Sequence, residues 1–228
     1  MVVNGMIYQK TYPQAVQFFT GTTNGKKMEF GKIYYNKFGF NQECRRGKKE
    51  QPTLLLSDSQ AVKNSESARH KGFCTYKCTN GIKRHLVTDV LGCPPMIHIT
   101  TANISDDQGL IQLITKYINY FKNKPVNSKK ITFLCDNGYH PNKILPEIEK
   151  LYPAIKTKIK FQVTPKPQKD PINKGFKPVH KRWIVEQANS FMEKCRILWK
   201  NCEKELDSSL AKVQICFIRV IIRRLARE

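Results

Sequence analysis

Two acids close short apolar runs in the sequence, and a third stands on a later helical segment. Asp58 ends the run Thr53-Leu54-Leu55-Leu56-Ser57, and Asp136 ends Ile131-Thr132-Phe133-Leu134-Cys135. Each run reads as a buried strand whose end emerges at a surface, with polar turn residues after the acid. Glu186 falls in residues 182–195, where Ile184, Ala188, Phe191, Met192 and Cys195 form a helical stripe that leaves Glu186 to one side. Three carboxylates are the hard oxygen ligands that two Mg²⁺ (or Mn²⁺) ions require, the remaining positions going to water and phosphate oxygens. Two such ions about 3.5–4 Å apart activate a water or hydroxyl nucleophile and stabilise the leaving oxygen of an in-line phosphoryl displacement. The plainer reading is that a strand-end Asp is a turn residue or helix cap and that a helix Glu is solvated.

These acids need a sheet to position them, and the pattern supplies one. Residues 59–80 are polar without a period, whereas 83–90 alternate as a strand, Leu91-Gly92 make a turn, and 95–101 return as the second strand of a hairpin. Ser105-Asp106-Asp107-Gln108 is a capping box opening a helix whose apolar face runs from Leu110 through Tyr117 and Ile118 to Phe121. After the strand ending at Asp136, Pro141 opens a short helix over 142–151, and 158–163 form a further strand. Helices over 182–195 and 206–227 complete the order. Strands followed by alternating helices and strands predict an α/β fold, a mixed sheet flanked by helices. Residues 1–52 read as a partial, loop-rich N-terminal lead-in, and 53–228 as the domain that carries the acids.

Charge names the partner. The 228 residues carry 40 Lys and Arg against 18 Asp and Glu, a formal net charge of +22, with 40% hydrophobic residues and pI ≈ 9.8. This composition excludes a disordered chain and a disulfide-stapled miniprotein, and it points to a polyanion, nucleic acid first. Residues 1–114 are net +7 and residues 115–228 net +15, so the second half faces that polyanion more heavily. Nine of the basic residues fall in 156–182 with one acid and four prolines, an extended and solvated stretch. The most apolar segment, 213–225, is broken by Arg219, Arg223 and Arg224, which excludes a membrane span. The first residues lack a secretory signal, so the expected location is the cytoplasm, at the nucleoid, with eight reduced cysteines. The spacing His70-x3-Cys74-x3-Cys78-x6-His85 offers zinc-capable side chains, but residues 84–90 are needed as a strand.

Five segments, in order, resemble bacterial insertion-element transposases of the DDE superfamily. Asp58-Ser59-Gln60-Ala61-Val62-Lys63 is similar to the D-S-Q-S-V-K segment at their first aspartate. Residues 81–92, with Lys83-Arg84-His85, Asp89 and Gly92, resemble G-x-K-R-H-x-x-x-D-x-x-G, and Thr101-Ala102-Asn103-Ile104-Ser105-Asp106 resembles P-A-N-x-x-D. Asp136-Asn137-Gly138-Tyr139 matches D-x-G-Y, and Arg182-Trp183-Ile184-Val185-Glu186 matches R-W-x-V-E.

The resemblance implies a ribonuclease H-like fold and a metal-dependent enzyme that nicks element ends and joins the freed 3′-hydroxyls to target DNA. By position, Asp58, Asp136 and Glu186 become the catalytic, metal-binding triad for two Mg²⁺ or Mn²⁺ ions. Double-stranded DNA becomes the partner, with a homodimer in the synaptic complex. Lys83, Arg84, His85, Lys181, Arg182 and Lys194 become DNA-contacting residues, Arg182 through phosphate. The chain departs from a signature that many relatives show at Val179, where they have a tyrosine, and at Glu193, where they have a basic residue, with Lys194 adjacent and about 100° further round the helix; Gln187 replaces an arginine usual after the glutamate. Fifty-seven residues precede Asp58, fewer than relatives usually have, so the expectation includes an N-terminally truncated copy. The competing function is a basic DNA-binding remnant without catalysis.

Overall fold

The computed structural model describes residues 52–123, 130–164 and 181–226. The expected lead-in therefore lies outside the described residues apart from Pro52, as do Val179 and most of the basic stretch. Six strands form one sheet: β1 (Leu54–Lys63), β2 (Gly72–Cys74), β3 (Thr79–Thr88), β4 (Met96–Thr101), β5 (Ile131–Cys135) and β6 (Ile159–Val163). Six helices flank it: α1 (Asp106–Lys116), α2 (Ile118–Lys122), α3 (Pro141–Leu151), α4 (Ile155–Lys158), α5 (Trp183–Glu193) and α6 (Leu206–Leu225). No helix among the described residues is long and apolar enough to cross a membrane.

β3 pairs antiparallel with β1 along one edge and with β2 and β4 along the other, while β1, β5 and β6 run parallel. An antiparallel meander whose first strand continues into two further parallel strands, with helices on both faces, is the ribonuclease H-like arrangement. Leu86, Ile82, Ile97 and Ile99 pack on one face against Ala188 and Met192 of α5 and Val213, Phe217 and Ile221 of α6. On the other face Leu55, Val87, Met96 and Phe133 meet Leu110, Leu113 and Ile114 of α1 and Ile144 and Ile148 of α3. Each of these side chains except that of Ala188 contributes about 1.5–3 kcal/mol on burial.

Several local expectations hold. Ser105 Oγ accepts from the Gln108 amide at 3.2 Å and opens α1 with Asp106 and Asp107 in its first turn. Gly92 takes φ +70 in the turn before β4, a conformation that costs a residue with a Cβ far more. The Asp89 carboxylate accepts from the Leu91 and Cys93 amides and closes that turn.

Three expectations are corrected. β1 does not end at Asp58 but runs to Lys63, because residues 59–63 pair with 81–85 of β3 and bury Val62. The polar stretch before β3 contains the short edge strand β2. The single helix drawn through Phe121 is two, because Tyr117 leaves helical geometry at φ −105, ψ 22 and its hydroxyl reaches the Ile97 carbonyl.

Covering both faces of β3 buries its polar residues too. His85 is 2% exposed, bonded through Nε2 to Thr100 Oγ1 at 2.9 Å, and packed against Gly109 of α1. Burial, with His98 beside it, lowers its pKa to about 3. The folded protein therefore keeps His85 neutral while the unfolded chain protonates it near pH 6.5. Its contribution is fully present above that value and is lost as pH falls toward 3, at about 1.4 kcal/mol per pH unit. Thermal unfolding between pH 7.5 and 4 is expected to show this slope in the wild type and a shallower one in His85→Gln. Parallel slopes would contradict it.

Candidate active site

Register brings the two strand acids together. β1 and β5 pair as Leu54↔Thr132, Leu55↔Phe133 and Leu56↔Leu134, so two residues beyond the last pair Asp58, on β1, and Asp136, just past the end of β5, stand level. Alternation puts both on the face of Leu56 and Leu134, which pack against Ile184 and Val185 of α5. β5 stops at Cys135, and the backbone then turns, Tyr139 N donating to the Asp136 carbonyl. Asp58 therefore stands in mid-strand with respect to β3 but just beyond the last pair with β5.

The start of α5 supplies what faces them. Arg182 Nη2 lies 3.9 Å from Asp58 Oδ1 and 3.8 Å from Asp136 Oδ2, so one guanidinium spans both acids. Asn189 Nδ2 donates to Asp58 Oδ2 at 2.8 Å, and Glu193 Oε1 accepts from Gln60 Nε2 at 3.2 Å. Positions 182, 189 and 193 form one stripe of the helix, and Glu186, four residues after Arg182 and three before Asn189, belongs to it. Glu186 itself is exposed.

Burial raises the Asp58 pKa, and Arg182, the Ser59 amide and Asn189 offset only part of that effect. A buried carboxylate still short of compensation favours a nearby cation. Hard carboxylate oxygens on neighbouring strands, with a third acid on the facing helix stripe, suit a divalent ion of the Mg²⁺ or Mn²⁺ type. Among the described residues no three His, Cys, Asp or Glu side chains are already gathered as a metal site.

A cleft of about 1010 Å³ opens beside the acids. Asp58 and Asp136 line it together with Tyr76 and Lys77 of the β2–β3 turn, Asp106 and Asp107 of α1, and His140 and Lys143 of α3. Ser59 joins these parts: its amide donates to Asp58 Oδ1, its hydroxyl to Asp106 Oδ1 at 2.7 Å, and its carbonyl accepts from Lys77 Nζ. Burial works against ionised Asp106, but the bonds from Ser59 and Lys83 outweigh it and hold its pKa below the usual value. Cys135, next to Asp136, is buried and its pKa is pushed up to about 12, as befits a packing thiol.

The basic residues divide differently from the sequence-based expectation. Lys83, Arg84 and His85 are 6%, 3% and 2% exposed, and none presents a free cation to a duplex. Lys83 Nζ bonds the Ile104 carbonyl at 2.7 Å and Asp106 at 3.0 Å. Arg84 bonds Gln60 and the Leu198 carbonyl, and burial lowers its pKa to about 10. The physical reason is that β3 is the central strand with helices over both faces. Arg182, expected on phosphate, is turned inward onto the two acids, and its Nη1 is buried with no hydrogen-bond partner among the described residues. Lys181 and Lys194 are exposed at the two ends of α5, Lys181 in the left-handed region at φ 65. The four zinc-capable side chains are engaged separately, His85 with Thr100 and His70 with Glu205, while Cys74 is buried and Cys78 exposed. Sequence reasoning missed Asn189, for which helical spacing from Arg182 was the available signal.

No curated protein matches the chain. Residues 49–221 match the family described as Transposase DDE domain. That span holds all six strands, the level pair Asp58 and Asp136, and the whole of α5. The match covers well over half of the sequence and the entire sheet that carries the two acids, and the chain belongs to the transposase DDE domain family.

Proposed function

We propose that the protein binds double-stranded DNA at the ends of a mobile element, cuts a strand there and joins the freed 3′-hydroxyl to target DNA. The observation that carries this reading is the β1–β5 register, which puts Asp58 and Asp136 side by side facing α5. Asp58, Asp136 and Glu186 would hold two divalent ions. When bound, such ions supply a nucleophilic water or hydroxyl at neutral pH and stabilise charge on the leaving oxygen. The protein's own part is to set the carboxylates. The two strands fix Asp58 and Asp136, and Asn189 orients Asp58 through its 2.8 Å bond. Glu186 stands on the same helix stripe, one turn from both residues that touch Asp58. Arg182 lies against both acids, and its planar fork suits phosphate oxygens brought to them. Lys181 and Lys194 flank the stripe and contact the DNA backbone.

Joining two element ends calls for two copies of the chain. The test uses a labelled duplex carrying the sequences that flank this gene, with Mg²⁺, Mn²⁺ or EDTA. Nicked and strand-transferred products with either metal and none in EDTA are expected. DNA binding without cleavage under any metal would mark the protein as a DNA-binding remnant.

A further inference from the structure

A second titratable pair is built into the cleft beside the carboxylates. Asp107 accepts from the backbone N of His140 at 2.8 Å and from its Nδ1 at 2.9 Å. The Asp107 side chain is 14% exposed and that of His140 56% exposed, so the ring is fixed from behind and open in front. With Nδ1 committed to Asp107, Nε2 is the free ring nitrogen, and it has no partner among the described residues.

The pair is tied to the acids by a closed circuit of contacts. Asp58 adjoins Ser59, whose hydroxyl bonds Asp106, and Asp106 adjoins Asp107, which holds His140. His140 follows the turn that Tyr139 closes onto Asp136, and Asp136 is level with Asp58 across the sheet. His140, Asp58 and Asp136 line the same cleft. A latch between α1 and α3 would be satisfied by the backbone bond and does not call for an oriented imidazole with an open edge.

We infer that His140, oriented by Asp107, donates a proton from Nε2 to the 3′ oxygen that leaves when the DNA strand is cut, an inference that rests on the function proposed above. The oxygen of a water molecule bonds to phosphorus while the P–O3′ bond breaks. The electron pair of the broken bond stays on O3′, which takes the Nε2 proton. The attacking water gives up one proton to solvent, and the neutral imidazole regains one from solvent. Asp107 holds the ring in place through Nδ1, which leaves Nε2 as the donor. Proton transfer of this kind contributes roughly 10²–10⁴-fold to a rate.

The test compares single-turnover nicking, in Mn²⁺, of an ordinary duplex and of one whose scissile 3′ oxygen is replaced by sulfur, a leaving group that needs no proton. His140→Gln is expected to cut the ordinary duplex about 10²-fold more slowly than wild type and the sulfur duplex at nearly the wild-type rate. Asp107→Asn should show the same pattern with a smaller loss. Equal losses on both substrates would overturn the inference in favour of a structural latch, and so would no loss on the ordinary duplex. A wild-type protein that cuts neither substrate would instead overturn the proposed function, and this inference with it.

Discussion

Asp58→Ala and Asp136→Ala are each expected to abolish metal-dependent strand cleavage while DNA binding is retained or tightened. The loss expected is at least about 10³-fold, since several kcal/mol of charge stabilisation disappear with a ligand and each tenfold corresponds to about 1.4 kcal/mol. Binding moves the other way because each substitution deletes a negative charge facing phosphates. Asp58 carries a further signature. Burial raises its pKa despite Arg182, Ser59 and Asn189, so the folded protein holds an ionised carboxylate at a cost. Asp58→Asn is therefore expected to leave the thermal midpoint unchanged or to raise it while removing activity. Single-turnover cleavage, a binding titration and a melting curve on the same preparations check all three. A variant that lost activity together with its fold would place the acid in the architecture instead.

Gly109→Ala is expected to destabilise the protein strongly, although helix propensity alone favours it. In an exposed helix interior the exchange gains about 1 kcal/mol. Here a Cβ on Gly109 would fall 1.9 Å from His85 Cε1 and 2.2 Å from its Nε2. That ring is buried, bonded to Thr100, and walled in by a central strand, so it has nowhere to move. Overpacking of this kind costs about 1–3 kcal/mol and occasionally more, which exceeds the propensity gain. The displacement also reaches the site, because the start of α1 places Asp106 against Ser59 and Asp107 against His140. Denaturant unfolding of Gly109→Ala is expected to show a lower midpoint, with cleavage falling even where the variant is still folded. A midpoint at or above wild type would mean that α1 is free to shift away from β3.

The parts of the fold visible in the sequence were those set by local pattern. The capping box at Ser105, the turn at Gly92 and the apolar runs before Asp58 and Asp136 each carry their signal within a few residues. The level placement of Asp58 and Asp136 does not, because it depends on which strands pair and in what register. The extension of β1 through Ser59-Gln60-Ala61-Val62-Lys63 was hidden for the same reason: apart from Val62 those residues have weak strand preference and are held by their pairing with β3. Lys83, Arg84 and His85 look like a basic surface in one dimension and become interior residues once helices cover both faces of their strand. Arg182 was legible as a cation near the third acid, but its direction, inward onto two carboxylates, follows from where α5 docks. The Asp107–His140 pair joins residues thirty-three apart and had no sequence signature.

Of the three acids, Glu186 is the one placed by helical spacing instead of by contact. Single-turnover nicking of an element-end duplex in Mn²⁺, wild type against Glu186→Gln, tests most directly whether these carboxylates act as one metal-holding set. The account predicts cleavage by the wild type that EDTA removes, and a loss in Glu186→Gln comparable to that in Asp136→Ala with DNA binding intact. Cleavage by Glu186→Gln at the wild-type rate would contradict it.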